Sequence, residues 1–177
     1  MVFIPAGIED TKSVSHLSVI KANDDCVLNV QSYNINNYII RQLVKNDYDN
    51  YTIMINEFRE TFFTFGQFNE TLDYISPFTE IWVVEYDNNI IATGTIIYEK
   101  KFIYNNSLLA HIEDICVKNN YRKFGIGKLI VKHLMNLAKE KGCYKVTLDC
   151  NDENTHFYIK CGLEKRGIQM CQLTSNY

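Results

Sequence analysis

Apolar and polar positions along the chain fall into short segments of two different periods. Tyr38-Ile39-Ile40-Arg41-Gln42-Leu43 reads as a first core strand, with Lys45-Asn46-Asp47 as turn and helix cap. From Tyr48 to Phe58 the period changes. Tyr51, Met54, Ile55 and Phe58 fall at i, i+3, i+4 and i+7, the spacing that lines one face of a helix. An aromatic patch follows around Gly66 (Phe58, Phe62, Phe63, Phe65, Phe68) and is expected to pack helix against helix. A second short helix is expected from Asn69 to Ser76, stopped by Pro77. Strand character returns at Glu80 to Tyr86 and Ile90 to Tyr98, joined by Asp87-Asn88-Asn89 in a turn suited to a hairpin. Lys100 to Tyr104 prolongs the second strand, Asn105-Asn106-Ser107 turns back, and Ala110 to Val117 completes an antiparallel meander.

Beyond the meander, strands and helices alternate. Lys118-Asn119-Asn120 is a turn, because Asn tolerates the left-handed region and bonds its own backbone. Lys128 to Lys141 reads as a helix with Ile130, Leu134, Leu137 and Ala138 on one face and Gly142 just past its end. Tyr144 to Cys150 alternates: Tyr144, Val146, Leu148 and Cys150 point one way, Lys145, Thr147 and Asp149 the other. Asn151 to Asn154 caps a short helix, Thr155 to Lys160, closed by Gly162, and Leu163 to Gln172 reads as a last pair of strands around Arg166-Gly167. An antiparallel meander followed by β-α-β-α-β predicts an α/β fold on one mixed sheet, of the α+β mixed-sheet kind. Residues 1–36 carry only a candidate strand at 27–33 and stand as an N-terminal extension before a single domain over 37–177.

Composition narrows the function. A chain of 177 residues that is 46% hydrophobic is long and apolar enough for one globular core. The net charge of −3, without a Lys/Arg run, speaks against a nucleic-acid partner held by bulk charge. A small anionic substrate must then meet a local basic patch. No stretch approaches the roughly 20 apolar residues of a membrane span, and the first residues lack the basic start of a signal peptide. The six cysteines include no C-x-x-C pair, which suggests free thiols, a cytoplasmic setting and no structural metal.

The chemistry concentrates between Ala110 and Gly162. Arg122-Lys123-Phe124-Gly125-Ile126-Gly127 is a glycine-bearing loop that opens a helix. Such a loop aims several backbone N–H groups and the positive end of the helix dipole at one spot, an arrangement that suits phosphate. A plain tight turn is the alternative. The loop lacks the Lys-Ser/Thr of a P-loop and the spacing of a dinucleotide turn. It resembles the R/Q-x-x-G-x-G/A motif of the GNAT acetyltransferase superfamily. Together with His111-Ile112-Glu113-Asp114-Ile115, the run Cys143 to Cys150, Asn154, and Phe157 to Leu163, it is similar to the glucosamine 6-phosphate N-acetyltransferases. The similarity covers about residues 38–171 and is densest from Ala110 to Gly162.

That resemblance implies a GNAT acyl-CoA N-acyltransferase fold with splayed central strands. It also implies acetyl transfer from acetyl-CoA to the 2-amino group of D-glucosamine 6-phosphate by direct attack in a ternary complex. Asp149 would orient the amine, with Glu113 and Asp114 meeting amine and sugar hydroxyls, and Tyr158 would protonate the leaving thiolate. Adjacent acids serve one site only if the strand bulges between them. Backbone at Ile115 and Val117, the loop residues Arg122, Lys123, Phe124, Gly125, Ile126 and Gly127, and Asn154 would hold acetyl-CoA. Thr147 and Leu148 would touch the sugar, Lys100, Lys101 and Phe102 would meet the sugar phosphate, and Thr61 is the candidate from the Phe58–Phe62 segment. The family's C-terminal phosphate arginine has no counterpart in Met170-Cys171-Gln172-Leu173. A homodimer is implied, with C-terminal strands across the two-fold and no metal. An acetyltransferase for a protein or polyamine amine, and a non-catalytic acetyl-CoA-binding module, share the glycine motif.

Overall fold

Among the described residues five strands form one sheet in sequence order; the first reaches the second through a long connection that carries two helices, while the next two connections are short enough only for an antiparallel neighbour. The strands are β1 (Ile39–Gln42), β2 (Thr79–Tyr86), β3 (Asn89–Lys100), β4 (Leu108–Val117) and β5 (Cys143–Thr147), and only β4 and β5 run parallel. The computed structural model describes residues 38–174, so the extension and its candidate strand lie outside the described residues. The β2–β3 turn places Asp87 and Asn88 at φ 49° and 57°, the left-handed pair that a tight hairpin requires and that Asp and Asn tolerate.

Helices cover both faces. α1 (Tyr48–Asn56) and α2 (Phe65–Ile75) bury Tyr51, Met54 and Phe68 against Val83, Ile90 and Cys116. On the other face α3 (Ile126–Glu140) buries Ile126, Ile130, Leu134 and Ala138 against Val84, Ile91, Ala92 and Ile112. Neighbours Val83 and Val84, and again Ile90 and Ile91, therefore serve opposite cores, which explains the unbroken apolar runs of β2 and β3. α4 (Asp152–Cys161) packs beside the start of α3.

Several boundaries differ from expectation, each for a local reason. α1 stops at Asn56, because Phe58 N and Arg59 N both donate to the Ile55 carbonyl and close the helix there. α2 begins at Phe65 rather than Asn69, since Thr64 and Gln67 form a reciprocal cap: Gln67 N donates to Thr64 Oγ1 at 3.2 Å and Thr64 N to Gln67 Oε1 at 2.8 Å. Phe63, Phe65 and Phe68 do pack around Tyr48, whereas Phe58 and Phe62 stay exposed. β3 ends at Lys100, and the expected extension to Tyr104 is instead a turn in which Tyr104, Asn105 and Asn106 all take left-handed φ. β5 ends at Thr147. α3 and α4 each start a few residues before the expected Lys128 and Thr155. Among the described residues, 163–174 form no strand at all. Ile168, Met170 and Leu173 remain largely exposed, because one chain alone offers them no apolar face to rest on, and a lone hairpin is marginal in water.

Candidate active site

The acidic pair sits on a bulge. Thr95 faces Glu113 and Thr93 faces Cys116, so Asp114 and Ile115 together oppose the single residue Gly94, with Asp114 at φ 52°. Ile112 and Ile115 both pack into the core beneath α3, which leaves Glu113 and Asp114 outside it. Gly94 makes this possible. A Cβ there would lie 2.6 Å from Ile115 Cδ1 and 3.0 Å from Leu134 Cδ1, so the bulged isoleucine crosses where glycine leaves room. On the other side the Asp114 charge acts on buried Tyr51, whose hydroxyl burial pushes up to about 12.

Next to the bulge the sheet splits. β4 and β5 pair only as far as His111 opposite Thr147, while β4 runs on to Val117. Into this opening project the side chains of His111, Glu113 and Asp149. His111 Nε2 lies 2.8 Å from Glu113 Oε1 and 3.7 Å from Asp149 Oδ2, and Nδ1 lies 3.1 Å from Thr147 Oγ1. Asp149 also accepts from Gln169 Nε2 at 3.0 Å. Asp149 and Tyr158 line one cavity of about 710 Å³ between β5, α4 and the C-terminal segment. Burial, with smaller contributions from the thiols of Cys150 and Cys161 and the carboxylate of Glu113, raises the Tyr158 phenol and so keeps its proton in place. His111, Glu113 and Asp149 hold ligand-type atoms within 4.8 Å of one another and are the described residues that a cation would use. The imidazole–carboxylate hydrogen bond accounts for their approach without one.

The glycine loop begins where β4 ends. Gly125, at φ 82°, caps α3, a conformation that favours glycine, and leaves the N–H groups of Ile126, Gly127 and Lys128 at the unpaired start of the helix. Arg122 Nε donates to the Val117 carbonyl at 3.0 Å, so this side chain ties the loop to the strand end. At Gly127 a Cβ would meet Phe157 Cζ at 3.2 Å and Val117 Cγ2 at 3.5 Å, which fixes how closely α3, α4 and β4 approach. Lys123 and Phe124 are exposed on the loop. Asn154 lies in the first turn of α4, one turn before Tyr158.

The remaining candidates are dispersed. Thr147 points its hydroxyl at His111 rather than into open space, and Leu148 is half-buried against the core. Thr61 lies between α1 and α2, where its N–H donates to Asn56 Oδ1 at 3.0 Å. The same connection reaches the loop side through Glu57, which accepts from Asn119 N at 2.9 Å. Lys100, Lys101 and Phe102 are not brought to Asp149 within one chain. Lys100 pairs with Leu108, five residues before Glu113, or about 16 Å along the strand. Lys101 bonds Glu99, and Phe102 is 99% exposed. Two residues of the cluster escaped the sequence reading. His111 was legible in principle, since i and i+2 share a strand face with Glu113. Gln169 carried no sequence signal, because its position depends on an irregular segment.

Known proteins resemble this chain in sequence and in fold. Residues 47–163 match the model of the acetyltransferase (GNAT) family. The chain is 40% identical over 136 residues to glucosamine 6-phosphate N-acetyltransferase 1 of Dictyostelium discoideum, covering 73% of this chain and 87% of that protein. It is 38% identical over 105 residues to glucosamine 6-phosphate N-acetyltransferase of Schizosaccharomyces pombe, covering 59% of this chain and 95% of the relative. The crystal structure of glucosamine-6-phosphate N-acetyltransferase from Arabidopsis thaliana superposes with a TM-score of 0.75 at 34% identity, over 78% of this chain and 99% of that one.

Proposed function

The chain belongs to the GNAT family of acetyltransferases, alongside the glucosamine 6-phosphate N-acetyltransferases, and on that premise we propose that it moves the acetyl group of acetyl-CoA to the 2-amino group of D-glucosamine 6-phosphate. The products are N-acetyl-D-glucosamine 6-phosphate and CoA, on the route to UDP-N-acetylglucosamine. The observation that carries this reading is the convergence of Glu113 and Asp149 on His111 in the split between β4 and β5, with Tyr158 lining the same cavity as Asp149.

Each chemical demand of the reaction has a group to meet it. An amine attacks only with its lone pair free, and the Asp149 and Glu113 carboxylates accept hydrogen bonds from its N–H groups and turn that lone pair toward the thioester. The bulge at Asp114-Ile115 withdraws backbone groups from the ladder, and donors freed in this way suit the carbonyl oxygen as it gains charge. The C–N bond forms as the C–S bond breaks. The ammonium proton passes to the carboxylates and solvent, and the thiolate takes the Tyr158 proton. The CoA diphosphate rests on the amides that start α3 and the pantetheine runs along Val117 toward Asn154.

The enzyme works as a cytoplasmic homodimer in this reading. The far edge of β5 is unpaired among the described residues, and Ile168, Met170 and Leu173 beside it are exposed, which a second copy would cover. The Lys100–Phe102 turn, remote from the cleft of its own chain, is then free to reach the phosphate held by the partner. Thiol release from acetyl-CoA tests the reading, with glucosamine 6-phosphate, glucosamine, spermidine, an amine-bearing peptide and no acceptor compared side by side. Turnover with the phosphosugar well above the other four is expected. Turnover greatest with the peptide or spermidine, or with no acceptor dependence, overturns it.

A further inference from the structure

His111 occupies the last rung at which β4 and β5 still pair, directly opposite Thr147. Its ring spans the point where the sheet opens, with one nitrogen facing each side of the problem. Nδ1 meets the Thr147 hydroxyl at 3.1 Å, and Nε2 meets Glu113 at 2.8 Å with Asp149 at 3.7 Å. Two carboxylates so close repel each other and swing apart unless a donor stands between them. An ionised carboxylate only accepts, so Nε2 must carry a hydrogen. Thr147 accommodates this from the other side. Its hydroxyl donates to Nδ1 when the ring is neutral. When the ring is charged it accepts from Nδ1 and turns its own hydrogen to the Ala110 carbonyl, 3.5 Å away. In either state the hydrogen on Nε2 stays between the carboxylates. The partner of one ring nitrogen sets the state of the other.

We infer that His111 is the positioning residue of the acetyl transfer: held by the facing carboxylates in the form protonated at Nε2, with Thr147 able to serve Nδ1 in either charge state, it draws Glu113 and Asp149 to one point, so that both carboxylates address the same amine. The groups facing the ring are Glu113 from its own strand, Asp149 and Thr147 from the β5 side, and Gln169, which holds Asp149 from the C-terminal segment. Gln169 thus holds Asp149 by a hydrogen bond, and His111 faces it from the other direction at 3.7 Å. Loss of His111 leaves the polypeptide able to bind acetyl-CoA, whose contacts lie at the other end of β4, but lets the carboxylates separate.

The inference rests on the acetyltransferase reading, and two measurements on the full chain keep their failures apart. The first needs no turnover. Long-range ¹H–¹⁵N NMR of the imidazole rings, with His111 assigned by its loss in His111→Phe, reads which nitrogen is protonated. Hydrogen held on Nε2 is expected in the wild type, and an averaging ring in Glu113→Gln with Asp149→Asn, where amides that both donate and accept replace the carboxylates. Averaging in the wild type, or a ring in the double variant identical to it, overturns the inference. The second is kinetic. The amide nitrogen of a glutamine falls near Nε2, that of an asparagine near Nδ1. His111→Gln should therefore retain most of kcat, while His111→Asn and His111→Phe lose on the order of 100-fold with KM for acetyl-CoA unchanged. Equal kcat in all three, or a loss confined to KM for acetyl-CoA, overturns the inference. Wild-type protein that acetylates no amino sugar overturns the substrate reading alone, and the ring spectrum then decides the role of His111.

Discussion

Tyr158 and His133 show how burial acts on single groups in opposite directions. Burial holds the proton on the Tyr158 phenol, as the proposed donation to a thiolate would require. Tyr158→Phe should lower kcat about 100-fold while the dissociation constant for acetyl-CoA, from calorimetry, stays within a factor of two or so. His133 lies beneath Trp82 with ring centroids 4.4 Å apart, its Nε2 buried and without a hydrogen-bond partner. Burial lowers its affinity for a proton, and the nearby Glu140 and Glu80 only partly restore it. The unfolded chain therefore binds this proton more readily than the native one. Stability is full above the unfolded histidine value of about 6.5 and is lost as pH falls below it toward the native value. Thermal melts should show this acid loss in the wild type and a flatter profile in His133→Met. The two profiles running parallel would refute the assignment.

Local chemistry made some elements legible in the sequence, and tertiary context hid others. The glycine loop and the acidic pair announced themselves because their meaning is local: left-handed φ at a helix start, and two adjacent acids at a bulge, of which Glu113 meets His111 while the Asp114 charge acts on Tyr51. The N-terminus of α2 was equally legible, since Thr64 and Gln67 carry the capping pattern, although the aromatic run obscured it. Gly94 looked like an ordinary strand glycine, and only its closeness to Ile115 reveals that it shapes the bulge from across the ladder. Gly94→Val should cost about 1–3 kcal/mol by overpacking and should depress kcat more than affinity for acetyl-CoA, read by denaturant melts and steady-state kinetics. Gly125→Ala forces a Cβ into left-handed backbone. It should cost about 1–2 kcal/mol and weaken acetyl-CoA binding with little effect on the acceptor, the reverse of the Gly94 pattern.

On the scale of the whole molecule, the C-terminal segment is where sequence reading and structure part. Its apolar residues suggested strands, but among the described residues 163–174 stay irregular although the far edge of β5 is unpaired, and Ile168, Met170 and Leu173 find no apolar face to cover. The basic turn at Lys100-Lys101 poses the same problem, since its charge would suit the proposed sugar phosphate but it lies far from the cleft of its own chain. Both would find a use in the proposed two-fold assembly. Sedimentation should give a dimer for the full chain and a monomer for Met170→Asp with Leu173→Asp, and the double variant should lose activity toward the phosphosugar. A fully active monomer would remove the partner from the site. The most direct test of the whole account is a crystal structure with CoA and the acetylated phosphosugar bound. The account predicts the diphosphate on the amides of Ile126 to Lys128, the CoA sulfur within hydrogen-bond reach of the Tyr158 hydroxyl, and the sugar nitrogen between Glu113 and Asp149. A diphosphate bound away from that loop, or a sugar nitrogen out of reach of both carboxylates, would contradict it.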